Sequence, residues 1–223
     1  MKLGFRQGDK AKIQLWRNVM LGLLVILSCC LIATTFGSVN IHPETILKII
    51  LSKLFFVGDE SSWSRSQEII LWQIRLPRVL LAALVGMCLS ISGAIYQGVF
   101  RNPLADPYLI GVASGAGLGA TIIFLLDVPL ESISLNILPI AAFAGGIFAV
   151  TLAYSISSLA QRPSVTTIIL SGVAIGAFCT AISSFLYLKS DPDLRPVMSW
   201  IMGGFIRSTW GQVGLLAIYF IPG

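Results

Sequence analysis

Val165-Thr-Thr-Ile-Ile-Leu-Ser-Gly-Val-Ala-Ile-Gly-Ala-Phe-Cys-Thr-Ala-Ile-Ser-Ser-Phe-Leu-Tyr-Leu188 runs for 24 residues without an Asp, Glu, Lys or Arg. A helix needs about 20 apolar residues to cross the hydrocarbon core of a bilayer. Four more uncharged runs precede it, at 19–39, 79–100, 108–126 and 133–160, and another apolar stretch opens near Val213. Hydrophobic residues make up 56% of the 223-residue chain and charged residues 11%, against about 25% charged in a soluble domain. That is too little polar surface for a soluble fold. In lipid only helices and closed barrels satisfy their own backbone hydrogen bonds. These runs are continuous rather than alternating, so helices are expected. The expected fold class is an all-α polytopic membrane protein, with about five complete transmembrane helices and the start of a sixth.

Charge sets the expected orientation. Residues 1–18 carry Lys2, Arg6, Lys10, Lys12 and Arg17 against Asp9 alone. A basic juxtamembrane segment belongs on the cytoplasmic side, so the chain divides into a basic cytoplasmic segment, 1–18, and a transmembrane domain, 19–223. Alternation then puts Arg101, Asp106 and Arg162 in short cytoplasmic loops. The net charge of +5 is thereby a membrane signal, and no nucleic-acid partner is expected. The single histidine, His42, and the four cysteines, all inside apolar runs, show no metal-binding spacing. No catalytic motif is present and no charged residue lies inside a run, which argues against an ion-coupled pump and against an intramembrane enzyme.

Between the runs, residues 43–56 place Ile46, Leu47, Ile49, Ile50 and Leu54 on one broad face, as a short interfacial helix would. The second spanning helix is expected to start after Pro77, since proline suits a first helical turn. Arg101-Asn-Pro-Leu-Ala-Asp-Pro107 reads as a tight turn, with Asn102 and Asp106 as turn formers ahead of two prolines. Gly111, Gly115 and Gly119, and likewise Gly172 and Gly176, recur at four-residue spacing. Such small-residue faces let helix backbones approach closely. Lys189–Gln212 holds a charged turn, Lys189-Ser-Asp-Pro-Asp-Leu-Arg195, and a short apolar piece, 196–205. The apolar run still open at Gly223 suggests a chain truncated at its C-terminus.

Two motifs carry more. Trp72-Gln-Ile-Arg-Leu-Pro-Arg78 sets two arginines three apart at the expected outer end of the second helix. Their guanidinium groups suit lipid phosphates or the carboxylates of a partner. Ser92-Gly-Ala-Ile-Tyr-Gln-Gly-Val-Phe-Arg-Asn-Pro-Leu-Ala-Asp-Pro107 follows, and then Leu109-Ile-Gly-Val-Ala-Ser-Gly-Ala116. Together they closely resemble the FecCD-like permease subunits of bacterial type II ABC importers, which carry ferric siderophores, haem and vitamin B12. The family pattern runs R-L-P-R, S-G-A-x-x-Q, N-P-L-A-x-P and L-G-V-x-x-G-A, all present here in order, with Ile110 in place of the last Leu. Leu170-Ser-Gly-Val-Ala-Ile-Gly176, Asp193-Leu-Arg195 and Met198-Ser-Trp-Ile-Met-Gly-Gly204 resemble further family elements.

The resemblance implies a fold of about ten helices per full subunit and a multi-pass protein of the bacterial cytoplasmic (inner) membrane. The subunit itself would hold no cofactor. Partner ATPase subunits would bind ATP and Mg, a second permease subunit would complete a homodimer or pair, and a periplasmic or lipid-anchored binding protein would deliver substrate. Arg75 and Arg78 would dock that protein. Asn102 and Leu104 would form one cytoplasmic gate, and Val165 and Thr166 a second, although the family has a polar residue where Val165 stands. The third and fifth helices and the 196–205 piece would line the path. Ferric siderophore is the expected substrate, with vitamin B12 (corrinoid) or haem as alternatives. The rival of another class is a membrane structural or assembly protein that transports nothing.

Overall fold

The computed structural model describes residues 3–55, 62–126, 137–160, 164–189, 198, 200–205 and 208–220, with side chains from residue 12 onward. Arg162, Asp193-Leu-Arg195, Ser199 and residues 221–223, all used above, lie outside the described residues. Every element found is a helix: α1 Leu3–Thr35, α2 Pro43–Phe55, α3 Arg65–Ile69, α4 Leu76–Phe100, α5 Val112–Leu125, α6 Leu138–Ser158, α7 Val165–Lys189 and α8 Trp210–Phe220. Among the described residues four stretches are long and apolar enough to cross a membrane: Lys12–Thr35, Arg65–Phe100, Leu138–Ser158 and Val165–Lys189. The run at 108–126 is built as a 3-10 turn, Pro107–Ile110, followed by the 14 residues of α5. The chain forms two compact units, Met1–Cys88 with Phe205–Gly223, and Leu89–Gly204.

In the first unit α1 begins at Leu3, so residues 3–18 are helical and continuous with the first span. From residue 12 onward its large apolar side chains are exposed, Leu21, Leu24, Leu27 and Leu31 among them. Hydroxyls on this lipid-suited surface bond back to their own helix: Ser28 Oγ donates to the Leu24 carbonyl (2.8 Å) and Thr35 Oγ1 to that of Ile32 (2.7 Å). The expected short helix at 43–56 is α2, with Pro43 in its first turn, Glu44 near its N-terminus and Lys53 near its C-terminus, as the helix dipole favours. Ile41, Ile46 and Ile49 bury against Leu71, and Lys53 pairs with Glu68 at 2.5 Å.

Pro77 corrects the sequence reading. It does not start a helix; it lies inside one that runs without a break from Arg65 to Phe100. The helix starts instead at a capping box. Ser64 Oγ accepts from the Gln67 N–H (3.2 Å), and Gln67 Oε1 accepts from the Ser64 N–H (3.0 Å). An interior proline lacks the N–H and pushes away the carbonyl four residues back. Ile70–Arg75 accommodates it as one π-helical turn, in which the Leu76 N–H reaches the Leu71 carbonyl.

The second unit is built around α5, which packs on both α6 and α7. A methyl at Gly115 would strike the Gly145 carbonyl and Ala149, and one at Gly119 would strike the Ala141 carbonyl. The α7 contact uses the other glycines. A methyl at Gly172 would lie 2.6 Å from the Ile110 Cα and 2.7 Å from the Leu109 carbonyl oxygen. Gly111 is doubly constrained, by its φ of 82° and by the Gly172 carbonyl, 2.9 Å from where its Cβ would be. Ala149, Ala153, Ile175 and Cys179 form the buried core. Thr121, only 1% exposed, donates to the Gly117 carbonyl (2.7 Å) and shares a 2.7 Å hydrogen bond with the Tyr187 hydroxyl.

These contacts meet backbone that cannot swing aside. Gly172→Ala should therefore destabilise the folded protein by about 2 kcal/mol through overpacking. Gly117→Ala meets nothing within 4 Å and should be neutral or slightly stabilising, since alanine is the better helix former. Thermal unfolding of both variants in lipid nanodiscs checks the contrast; equal midpoints would contradict it.

Candidate functional site

The two arginines of Trp72–Arg78 have different surroundings. Arg75 closes the π turn and is 8% exposed. Its Nη1 donates to the carbonyl oxygens of Thr34 (2.9 Å) and Thr35 (3.2 Å), and its Nη2 donates to that of Val39. Thr34 and Thr35 are the last residues of α1, where carbonyls lack intrahelical donors and the helix dipole is negative. The guanidinium thus caps α1. Gly37 makes room for it: a methyl there would sit 2.8 Å from the guanidinium carbon.

Arg78, one turn further on, is exposed. Its Nε donates to the Phe205 carbonyl at 3.1 Å. Beside it the Trp210 indole Nε1 donates to the Trp72 carbonyl at 2.8 Å, and the two indole rings meet at a tilt of 39° with centroids 5.2 Å apart. No spacing or motif in the sequence pairs Trp210 with Trp72.

At its other end α4 stops at Phe100. The Arg101 N–H reaches the Gly98 carbonyl (3.3 Å) and the Asn102 N–H reaches that of Gln97 (3.2 Å), with Arg101 at φ 49°. This is a Schellman ending with arginine in the place usually held by glycine. The expected turn formers act as such. Asn102 Oδ1 accepts from the Leu104 N–H (2.9 Å), and Asp106 Oδ1 accepts from the Tyr108 N–H (2.8 Å). These bonds hold Leu104 out, 81% exposed, while Ala105 is buried.

Val165 and Thr166 are exposed in the first turn of α7. That turn is fixed by their neighbours: Ser164 Oγ accepts from the Thr167 N–H (3.2 Å), and Thr167 Oγ1 accepts from the Ser164 N–H (2.8 Å). Thr167 also meets Ser157 of α6 across the loop (3.1 Å). Of the small-residue set, Gly111, Gly172 and Gly176 meet one another, whereas Gly115 and Gly119 face Gly145. Gly145 was missed as a packing residue, although Ala141, Gly145, Ala149 and Ala153 also recur at four-residue spacing. Among the described residues no group of His, Cys, Asp or Glu is placed to hold a metal ion.

The profile of the FecCD transport family matches residues 23–223. The cobalamin import permease BtuC of Halobacterium salinarum is 42% identical over 146 residues, 66% of this chain and 38% of that protein. The Fe(3+)-citrate import permease YfmE of Bacillus subtilis is 33% identical over 201 residues, 89% of this chain and 55% of its own length. A solved structure described as an inward-facing metal-chelate type ABC transporter aligns with a TM-score of 0.67 and 26% identity, over 93% of this chain and 58% of that one. The chain spans about half the length of the relatives it matches. With the motifs, the helical bundle and the family profile covering the same residues, the chain belongs to the FecCD transport family.

Proposed function

We propose that this chain forms part of the permease subunit of an ATP-driven importer that moves ferric siderophores across the bacterial cytoplasmic membrane. The observation that carries the reading is the family match over residues 23–223, which takes in the arginine-bearing π turn, the Asn102 turn and the glycine-packed α5 and α7 alike. The N-terminus is cytoplasmic. Partner ATPases hold ATP and Mg, a second permease subunit completes the path, and a binding protein delivers the substrate. A corrinoid substrate is the second reading, favoured by the 42% identical relative named for cobalamin.

The side chains divide the work. Arg78, exposed, is the docking group for an acidic patch on the binding protein. Arg75 shapes that surface from beneath by holding the end of α1, since its fork is already filled by carbonyls. Leu104, held out by the Asn102 side chain, is an apolar gate contact for the second subunit. Val165 and Thr166, exposed at the start of α7, form the second gate.

Growth of cells lacking their own importers tests the reading. The full-length subunit is supplied with its ATPase and binding protein, and one ferric siderophore or vitamin B12 is limiting. Rescue on a siderophore is expected; rescue on B12 alone moves the protein to corrinoids, and no rescue despite membrane expression favours a non-transporting scaffold. Arg78→Glu should weaken binding-protein affinity at least tenfold with little change in stability. Arg75→Ala should instead lower stability by about 2 kcal/mol, because three carbonyls lose their donor. Titration of the binding protein and thermal unfolding, run on both variants, separate the two roles; an Arg75→Ala protein as stable as the parent would contradict the capping role.

A further inference from the structure

The π turn leaves the Trp72 carbonyl without its usual helix partner. In an α-helix the Trp72 carbonyl would accept from the Leu76 N–H, but that N–H is turned to Leu71. In a continued π-helix it would accept from residue 77, which is proline and has no N–H. A backbone carbonyl left unpaired near lipid is costly. Here it is taken by the Trp210 indole N–H at 2.8 Å, beside the tilted pair of indole rings. Five residues before Trp210, the Phe205 carbonyl accepts from Arg78 Nε. Ser208 Oγ donates to the same carbonyl at 2.6 Å, which fixes the approach to α8.

We propose that Pro77 and Trp210 are positioning residues forming a latch: Pro77 frees the Trp72 carbonyl, Trp210 occupies it, and Phe205 and Ser208 are thereby held where the Phe205 carbonyl orients Arg78. The consequence for partner docking rests on the reading of Arg78 given above; the latch itself does not. Its chemistry is specific. An alanine at 77 restores an N–H and removes the ring that the π turn accommodates, so the Trp72 carbonyl regains a donor within a helix of one uniform register. In the π register the donor is residue 77, and in the α register it is Leu76. Trp210 then has nothing left to satisfy.

A double-mutant cycle on the full-length subunit in nanodiscs tests this. Trp210→Phe keeps an aromatic ring and removes the N–H. Alone it should lower the folded-to-unfolded ratio about fivefold, the net worth of one hydrogen bond. In the Pro77→Ala background the same change should lower it less than about twofold. Equal losses in both backgrounds would overturn the latch. Should Pro77→Ala fail to fold, infrared spectra of protein carrying ¹³C-carbonyl tryptophan decide the matter. Trp210→Phe should shift one tryptophan carbonyl band to higher frequency, and an unchanged spectrum would overturn the proposal. If the cycle couples but Arg78→Glu leaves partner affinity unchanged, the latch stands and the docking role of Arg78 falls.

Discussion

Water is absent from the hydrocarbon core, so every backbone N–H and C=O there needs a partner within the protein. The main features of this fold answer that constraint. Its elements are helices, which pair their backbone internally. Its serines and threonines on exposed helix surfaces donate back to carbonyls of their own turn, as Ser28 and Thr35 do. Where a helix ends or is interrupted, a side chain steps in: Arg75 at the end of α1, and the Trp210 indole at the π turn made by Pro77.

The same solvent removes the usual force that brings helices together. Lipid tails are as apolar as leucine, so burying leucine against leucine gains little, and association depends on close packing. That is why α5 meets both neighbours through glycine and alanine. Gly115 and Gly119 admit the backbone of α6, and Gly111 admits that of α7. The left-handed conformation of Gly111 at the junction of the 3-10 turn and α5 serves this geometry as well as the turn itself. Leu104 gains its exposure from the same region, through the two side-chain-capped turns between α4 and α5.

Much of this was legible in the sequence, because lipid leaves few alternatives. Uncharged runs located the spanning helices, four-residue glycine spacing located the contact faces, and Asn102 and Asp106 located their turns. What escaped depends on tertiary context. Pro77 was read by its intrinsic preference for a first turn, and a π turn overrode that preference. Arg75 and Arg78 look equivalent at a spacing of three, yet one turn of helix separates a buried guanidinium from an exposed one. Which helix would receive Gly115 could not be read from α5 alone; the answer lay in the alanine and glycine spacing of α6. The capping of α7 by Ser164 and Thr167 lacks the usual glutamate and was not anticipated.

The central claim is the direct approach of α5 to α7, and it has a sharp geometric consequence. A Cβ built on Gly176 would lie 3.8 Å from the Ser114 Cβ, close to the mean separation in disulfides. Ser114→Cys combined with Gly176→Cys in the full-length subunit, oxidised in membranes and mapped by mass spectrometry of its peptides, measures that approach. The account predicts a 114–176 disulfide in most molecules. Two thiols that remain free under oxidation, in protein that is folded and inserted, would contradict it.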